Sequence, residues 1–160
     1  MKRILLMMLT VFAVALTALP AQADSRVHAE GEWTYVPTIV SVEEVGPHLY
    51  LYGTDVGHWT GTLTGTTTED FVVIVHASGN NYYYGVMEFE GTVAGLAGTL
   101  VIRASGVQIP GGLDPGTGGD WSGHWEILSG TGELVNIEGR GAFSGPSLDV
   151  DYSGKIHFLS

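Results

Sequence analysis

The sequence predicts a single all-β domain, an antiparallel β-barrel of about eight strands. Short segments of alternating apolar and polar residues follow one another between glycine-rich turns, and no amphipathic helical period occurs after residue 23. Five glycines also fall between Ser129 and Gly145, a density typical of a sheet that bends sharply to close on itself. A barrel of this width is either filled by its own side chains or holds one small ligand.

The first 23 residues predict a secretory signal peptide. A basic start at Lys2 and Arg3 precedes an apolar run over residues 4–19, and Ala21-Gln22-Ala23 forms a small-residue cleavage site. Cleavage after Ala23 leaves residues 24–160 as the barrel domain, exported to the periplasm or the medium. The apolar run is short for a membrane-spanning helix, so we expect no membrane association of the mature form.

The composition narrows the classes of partner. The chain has 6 Lys and Arg against 17 Asp and Glu, and two of the basic residues lie in the signal peptide, which leaves a mature charge of −13. This balance argues against nucleic acids and anionic membranes, which require a basic surface. The chain has no cysteine, which excludes disulfides, thiol catalysis and thiolate metal sites. The oligomeric state stays open.

Three strands are predicted first in the N-terminal half, over residues 29–36, 39–45 and 48–55. A Thr- and Gly-rich segment over 59–68 and a continuous apolar run over 71–76 follow them. Pro37 and the pair Gly46-Pro47 are interpreted as breaks between strands, because proline cannot donate to a sheet ladder. Glu69 and Asp70 are interpreted as a turn or a bulge between two strands.

The C-terminal half predicts the remaining strands. Gly79-Asn80-Asn81 indicates a hairpin turn before a strand that starts at Tyr82. Further strands are predicted over 99–105 and from Trp121, with a glycine- and proline-rich loop over 110–119 between them. The last strand, residues 148–158, alternates most clearly, with Val150 and Tyr152 on its apolar face.

The candidate ligand-binding residues are mostly aromatic. Six aromatic residues fall on the inward parity of their strands: Trp33, Tyr35, Tyr83, Trp121, Trp125 and Tyr152. Large inward residues usually fill a small barrel, and this packing interpretation is favoured over a pocket for a small apolar molecule. Arg103 is a candidate polar contact for such a ligand, although alternation with Leu100 and Ile102 favours an outward position.

Few residues indicate catalysis. Glu44, Asp55 and His58 are candidate acid or base groups near a barrel mouth, although an ordinary surface role is the more common one for each. The six histidines are scattered without metal-ligand spacing, and there is no G-x-S-x-G nucleophile motif. The sequence therefore predicts no metal site and no cofactor.

Residues 129–143, S-G-T-G-E-L-V-N-I-E-G-R-G-A-F, resemble the G-x-G-x-F/L-x-x-x-x-G-x-G signature of the allene oxide cyclase and dirigent superfamily. They are most similar to an uncharacterised bacterial branch of it. Residues 85–91 and 148–152 resemble two further blocks, so the resemblance covers roughly residues 80–158. Met87-Glu88 and Arg103-Ala104 depart from it, since that branch often has Glu-Arg and Gln-His there. The resemblance implies a calycin-like barrel that could mould a substrate without a cofactor.

Three functions remain open. The chain is an exported barrel that binds a small apolar molecule, a cofactor-free cyclase or isomerase, or a filled barrel with a structural or interaction role. A cavity would separate the filled barrel from the other two. An acid–base pair pointing into that cavity would favour the enzyme over simple binding.

Overall fold

The computed structural model describes residues 25–114 and 117–159. The signal peptide predicted over residues 1–23, together with its cleavage site, lies outside the described residues. The described chain forms eight strands and one short 3-10 helix. These are β1 Ser25–Val45, β2 His48–Trp59, β3 Leu63–Val75, β4 Asn81–Val93, β5 Leu96–Gln108, β6 Trp121–Gly130, the helix Gly132–Leu134, β7 Ile137–Gly145 and β8 Asp149–Phe158.

Every strand pairs antiparallel with its neighbour in the chain, and β8 pairs with β1 to close the ring. The predicted all-β, antiparallel, eight-stranded fold is therefore confirmed. Within the described residues, no helix is long and apolar enough to cross a membrane.

The predicted break at Pro37 is wrong. The segments predicted over 29–36 and 39–45 form the single strand β1. β8 pairs with β1 only as far as Thr34, whereas Pro37 lies beyond that point and pairs with Asp55 of β2. Proline is tolerated where a strand has a free side, because its missing N–H then costs no ladder hydrogen bond.

The predicted boundary between β2 and β3 is also wrong. Trp59 ends β2, the turn follows at residues 60–62, and Glu69 lies in the middle of β3. The two strands pair without a register shift from Leu49 opposite Val75 to Trp59 opposite Gly65. The Glu69 side chain therefore points inward, in line with the alternation of β3, and Glu69 is not part of a turn or bulge.

One half of the barrel interior is filled. We call it the filled end, which carries the β2–β3 and β4–β5 turns. Its largest side chains are Trp59, Trp125, Tyr152 and Phe89, all fully buried or nearly so. The Tyr152 ring lies 4.8 Å from that of Trp59 and edge-on to Trp125 at 6.3 Å. The prediction that Trp125 and Tyr152 are inward and buried is confirmed.

Glycines of the motif region make room for this packing. A Cβ at Gly141 would come within 2.7 Å of the Trp125 ring, and one at Gly154 on the neighbouring strand within 2.6 Å. The indole therefore rests on bare backbone, which is the close approach that glycine permits. Gly132, with φ of 65°, begins the 3-10 turn between β6 and β7. These glycines have a structural role.

Candidate functional site

The other half of the barrel contains a cavity of about 80 Å³. We call this half the open mouth; the β3–β4, β5–β6 and β7–β8 connections lie at this end. Six aromatic rings line the cavity, those of Trp33, Tyr35, Phe71, Tyr83, Trp121 and Phe143. Aliphatic side chains such as Leu51 and Val73 complete its walls. The barrel is thus filled at one end and hollow at the other.

Two carboxyl groups lie in the wall of this cavity. Asp55 of β2 is directly opposite Glu69 of β3, and both side chains point inward. Only 5% of Asp55 and 3% of Glu69 is exposed. Gly85 of β4 leaves the space that the Glu69 carboxyl group occupies, since a Cβ there would collide with Glu69 Oε1. Charged side chains are rarely buried to this degree without a partner of opposite charge.

The pair is arranged to share a proton. Burial raises the pKa of Asp55 to about 6, and a side-chain hydrogen bond from Glu69 partly offsets that rise. Burial, and then the neighbouring Asp55, hold the pKa of Glu69 well above its usual range. Asp55 Oδ1 and Glu69 Oε2 are buried without a hydrogen-bond partner within the described chain. The pair therefore favours one shared proton over two charges, as in other carboxyl pairs that cannot both carry charge.

Two tyrosines adjoin the pair. The Tyr83 hydroxyl group donates to Glu69 Oε1. Burial raises the pKa of Tyr83 well above its usual range, and it raises the pKa of Tyr35 to about 12. Both hydroxyl groups therefore stay protonated at neutral pH. Tyr83, Glu69 and Asp55 form a short chain of groups through which a proton can be shared.

A buried amide network holds the loop at the open mouth. Asn81 Nδ2 donates to Gln108 Oε1 at 2.9 Å and to the Gly112 carbonyl at 2.7 Å. Gln108 Nε2 donates to the carbonyl groups of Thr117 and Gly119, at 2.7 and 2.9 Å. Both ends of the β5–β6 loop are thereby tied to the barrel. This loop is described except for residues 115–116.

The structure divides the predicted aromatic residues into two groups. Trp33, Tyr35, Tyr83 and Trp121 line the cavity, whereas Trp125 and Tyr152 belong to the filled end. Trp33 stacks on Trp59 with ring centroids 5.1 Å apart, which links the cavity wall to the packed interior. The packing interpretation and the pocket interpretation therefore each apply to a different part of the barrel.

The predicted polar residues are mostly outside the cavity. Arg103 lies on the outer surface, where its Nη2 is 2.5 Å from Glu126 Oε2 on β6. Glu44 and His58 are exposed as well, Glu44 near the end of β1 and His58 on the outer face of β2. Among the candidate acid or base groups, Asp55 is the one that reaches the cavity. The outward position of Arg103 follows from the inward packing of its neighbours Ile102 and Ala104.

Sequence reasoning missed Glu69, Asn81 and Gln108. The strand signal was present, because Thr67, Glu69 and Phe71 alternate with exposed Thr68 and Asp70. Glu69, a carboxylate among residues that face inward, is instead interpreted from the sequence as part of a turn or a bulge. Within residues 25–114 and 117–159, no three His, Asp or Glu side chains are grouped to hold a metal ion.

Comparison with known families identifies the chain. The family model described as a protein of unknown function, DUF3224, matches residues 54–153, which include most of the cavity wall. The chain belongs to the DUF3224 family. No curated protein matches it. These comparisons give no support to a relationship with the allene oxide cyclase and dirigent superfamily.

A solved structure of a DUF3224 member supports the fold. It is a protein of unknown function from Shewanella oneidensis MR-1, and it shares 19% sequence identity with this chain. The TM-score is 0.64, over 86% of this chain and 98% of the Shewanella protein. At this identity the similarity shows a common fold alone.

Proposed function

We propose that this DUF3224 protein binds a small, mainly apolar molecule in the open mouth of its barrel. The observation that supports this proposal is the cavity itself, whose wall combines six aromatic rings with a few polar groups. Apolar pockets with a small number of converging polar groups are the usual form of small-molecule sites. A purely structural role is less well supported, because the packing that fills one end of the barrel stops short of the open mouth.

The size of the cavity limits the ligand. A volume of about 80 Å³ exceeds what one water molecule requires, roughly 10–15 Å³ by the same measure, by several-fold. A compact group of a few heavy atoms fits inside, and the rest of the ligand extends towards the mouth. A carboxylate ligand is disfavoured, because it would approach the ionised Asp55 in a region of low dielectric constant.

Binding can be tested with benzyl alcohol and a matched pair of variants. Val73 lines the cavity, whereas its neighbour Val72 is on the opposite face of β3. Val73→Phe places extra volume in the cavity and should weaken binding by about tenfold. Val72→Phe should leave the affinity within about twofold of the wild type. Tryptophan fluorescence reports binding, because Trp33 and Trp121 are in the cavity wall.

The proposal fails if the wild type shows no saturable fluorescence change. It fails equally if Val72→Phe and Val73→Phe weaken binding alike, since the ligand would then not occupy the cavity. Circular dichroism of both variants should first establish that each retains the fold.

A cofactor-free acid–base enzyme is the second candidate, favoured by the Asp55–Glu69 pair. Asp55, with a pKa of about 6, is matched to the role of a general base near neutral pH. The reaction that this arrangement suits is the enolisation of a ketone. Asp55 takes the α-proton of the ketone, and the electrons of the C–H bond move towards the carbonyl oxygen. Returning the proton to carbon regenerates the carboxylate.

This candidate is tested by hydrogen–deuterium exchange at the methyl group of acetophenone in heavy water, followed by proton NMR. Exchange above the buffer rate that Asp55→Asn abolishes supports the enzyme. Exchange at the buffer rate in the wild type leaves simple binding as the function. Asp151→Asn, an exposed site on β8, is the control for general effects of losing a carboxylate.

A further inference from the structure

The cavity has an acidic wall. Asp55 and Glu69 lie inside it, and Asp114 lies at its rim on the β5–β6 loop. Among the described residues that line the cavity, none is Lys, Arg or His. The protein as a whole adds to this field, since the chain after the predicted signal peptide has a net charge of −13. Such a field attracts cations to the cleft and repels anions.

The carboxyl pair places a hydrogen-bond acceptor in the cavity wall. The Tyr83 hydroxyl group donates to Glu69. Glu69 lies directly opposite Asp55 on the neighbouring strand. An ionised Asp55 carboxylate can only accept hydrogen bonds. Asp55 lines the cavity, and its Oδ1 accepts no hydrogen bond within the described chain. A ligand in the cavity can donate a hydrogen bond to this carboxylate, and a charged donor does so most strongly.

The aromatic wall suits a cation as well. The ring faces of tryptophan and tyrosine attract an ammonium group at contact distance, and more strongly where water is excluded. The rings are held in place by one another: Tyr83 lies edge-on to Trp121 at 5.9 Å and to Phe143 at 6.3 Å. Such contacts fix the rings before a ligand arrives, which reduces the entropic cost of binding.

We propose that the open mouth selects a small organic ammonium ion, with its nitrogen at the Asp55 carboxylate and its organic part between the aromatic rings. This inference rests on the proposed function, because it names the class of ligand for the same cavity. Binding of this kind requires a charged nitrogen on the ligand and an ionised Asp55, and it excludes carboxylates as ligands.

The proposal has a pH signature. The groups that face Asp55 are Tyr35 from β1, Glu69 from β3 and Tyr83 from β4, with Asp114 at the rim. Burial raises the pKa values of the two tyrosines and holds the pKa of Glu69 well above its usual range, whereas the pKa of Asp55 is about 6. An ammonium ion should therefore bind less tightly as the pH falls through about 6, the pKa of Asp55.

Three probes of similar size separate the contribution of charge to the affinity from that of apolar contact. They are benzylammonium, benzyl alcohol and phenylacetate. Isothermal titration calorimetry at pH 7.5 should show benzylammonium binding at least about tenfold more tightly than benzyl alcohol, and no binding of phenylacetate. Asp55→Asn should weaken benzylammonium by at least about tenfold and change benzyl alcohol by less than about threefold. Asp151→Asn is the matched control on the surface.

The outcomes distinguish the two proposals. If benzyl alcohol binds as tightly as benzylammonium, or if Asp55→Asn affects the two alike, the ammonium inference is wrong and cavity binding stands. If none of the three probes binds, the proposed function itself is wrong. If Asp55→Asn does not fold, the wild-type affinity for benzylammonium at pH 5 and pH 7.5 decides, and equal values at the two pH values overturn the inference.

Discussion

Asp55 of β2 lies directly opposite Glu69 of β3, and both carboxyl groups are buried inside the barrel. Two like charges at this separation and depth cannot both form, so the pair keeps a proton at neutral pH. Burying ionisable groups lowers stability, and their position in the wall of a cavity indicates that they serve binding or chemistry. The pair is therefore the feature that separates the open mouth from an ordinary barrel interior.

The pair should make the protein less stable as the pH rises. The pKa of Asp55 is about 6 in the folded chain and 3.8 as its ordinary value, so folding favours the protonated form. This stabilisation is complete below about pH 4 and is lost as the pH rises through about 6. The loss is on the order of 2–3 kcal/mol, since each pKa unit corresponds to about 1.4 kcal/mol.

Urea denaturation of the wild type and of Asp55→Asn at pH 4.5, 6 and 7.5 measures this effect. The free energy of unfolding should fall with pH in the wild type and fall less in Asp55→Asn. Asp151→Asn, which is exposed, should follow the wild-type profile. Equal pH profiles for Asp55→Asn and the wild type would show that Asp55 is not perturbed by folding.

The filled end should depend strongly on Trp125. This side chain is 1% exposed and rests on the backbone of Gly141 and Gly154. Trp125→Ala should lower the free energy of unfolding by about 3–5 kcal/mol, the range for truncating a buried large aromatic residue. Tyr84, which is 52% exposed, is the control, and Tyr84→Ala should cost less than about 1 kcal/mol. A loss below about 1 kcal/mol for Trp125→Ala would contradict the packing described here.

The Tyr152 hydroxyl group should contribute to stability separately from its ring. It accepts a hydrogen bond from the Leu63 N–H at 2.9 Å and donates to the Thr60 carbonyl at 2.9 Å. Tyr152→Phe leaves both backbone groups without this partner and should cost about 1–3 kcal/mol in chemical denaturation. Tyr84→Phe, on the exposed face of β4, should be close to neutral. A neutral Tyr152→Phe would mean that water replaces the hydroxyl group at no cost.

The predicted signal peptide gives a mature protein that begins at Asp24. The prediction rests on Ala21-Gln22-Ala23 after the apolar run. Expression in a bacterial host followed by N-terminal sequencing of the exported protein should find Asp24 first. An exported protein that retains Met1 would contradict it.

The fold class followed from the sequence because inward and outward residues alternate with period two in almost every strand. Val150 and Tyr152 on β8 and Met87 and Phe89 on β4 follow this rule without exception. The strand boundaries predicted at Pro37 and Glu69 are wrong. Local residue preferences favour a break at each position, whereas pairing with the neighbouring strand continues through it. At Glu69 the alternation of Thr67, Glu69 and Phe71 carries the strand signal, whereas the residues that lie opposite each other on β2 and β3 also depend on the geometry of the turn between them.

The sequence predicted some residues of the site but not their arrangement. Asp55, Tyr35 and Tyr83 were singled out, but sequence alone did not show that Asp55 pairs with Glu69. That pairing depends on the length of the β2–β3 turn, which sets the residue that lies opposite Asp55. The hollow end was equally hidden, because the same inward parity places Trp125 in a packed interior and Trp121 in a cavity wall.

Nitrogen-15 correlation NMR with added benzyl alcohol tests the central claim most directly, because it locates the ligand without a variant. Saturable shifts are expected at the backbone amides of the open mouth, such as those of Tyr35, Leu51 and Val73. The amides of the filled end, such as those of Leu63 and Trp125, should not move. Saturable shifts centred on the exposed outer face of β4, around Tyr84 and Val86, or no saturable shift at all, would contradict a ligand site inside the barrel.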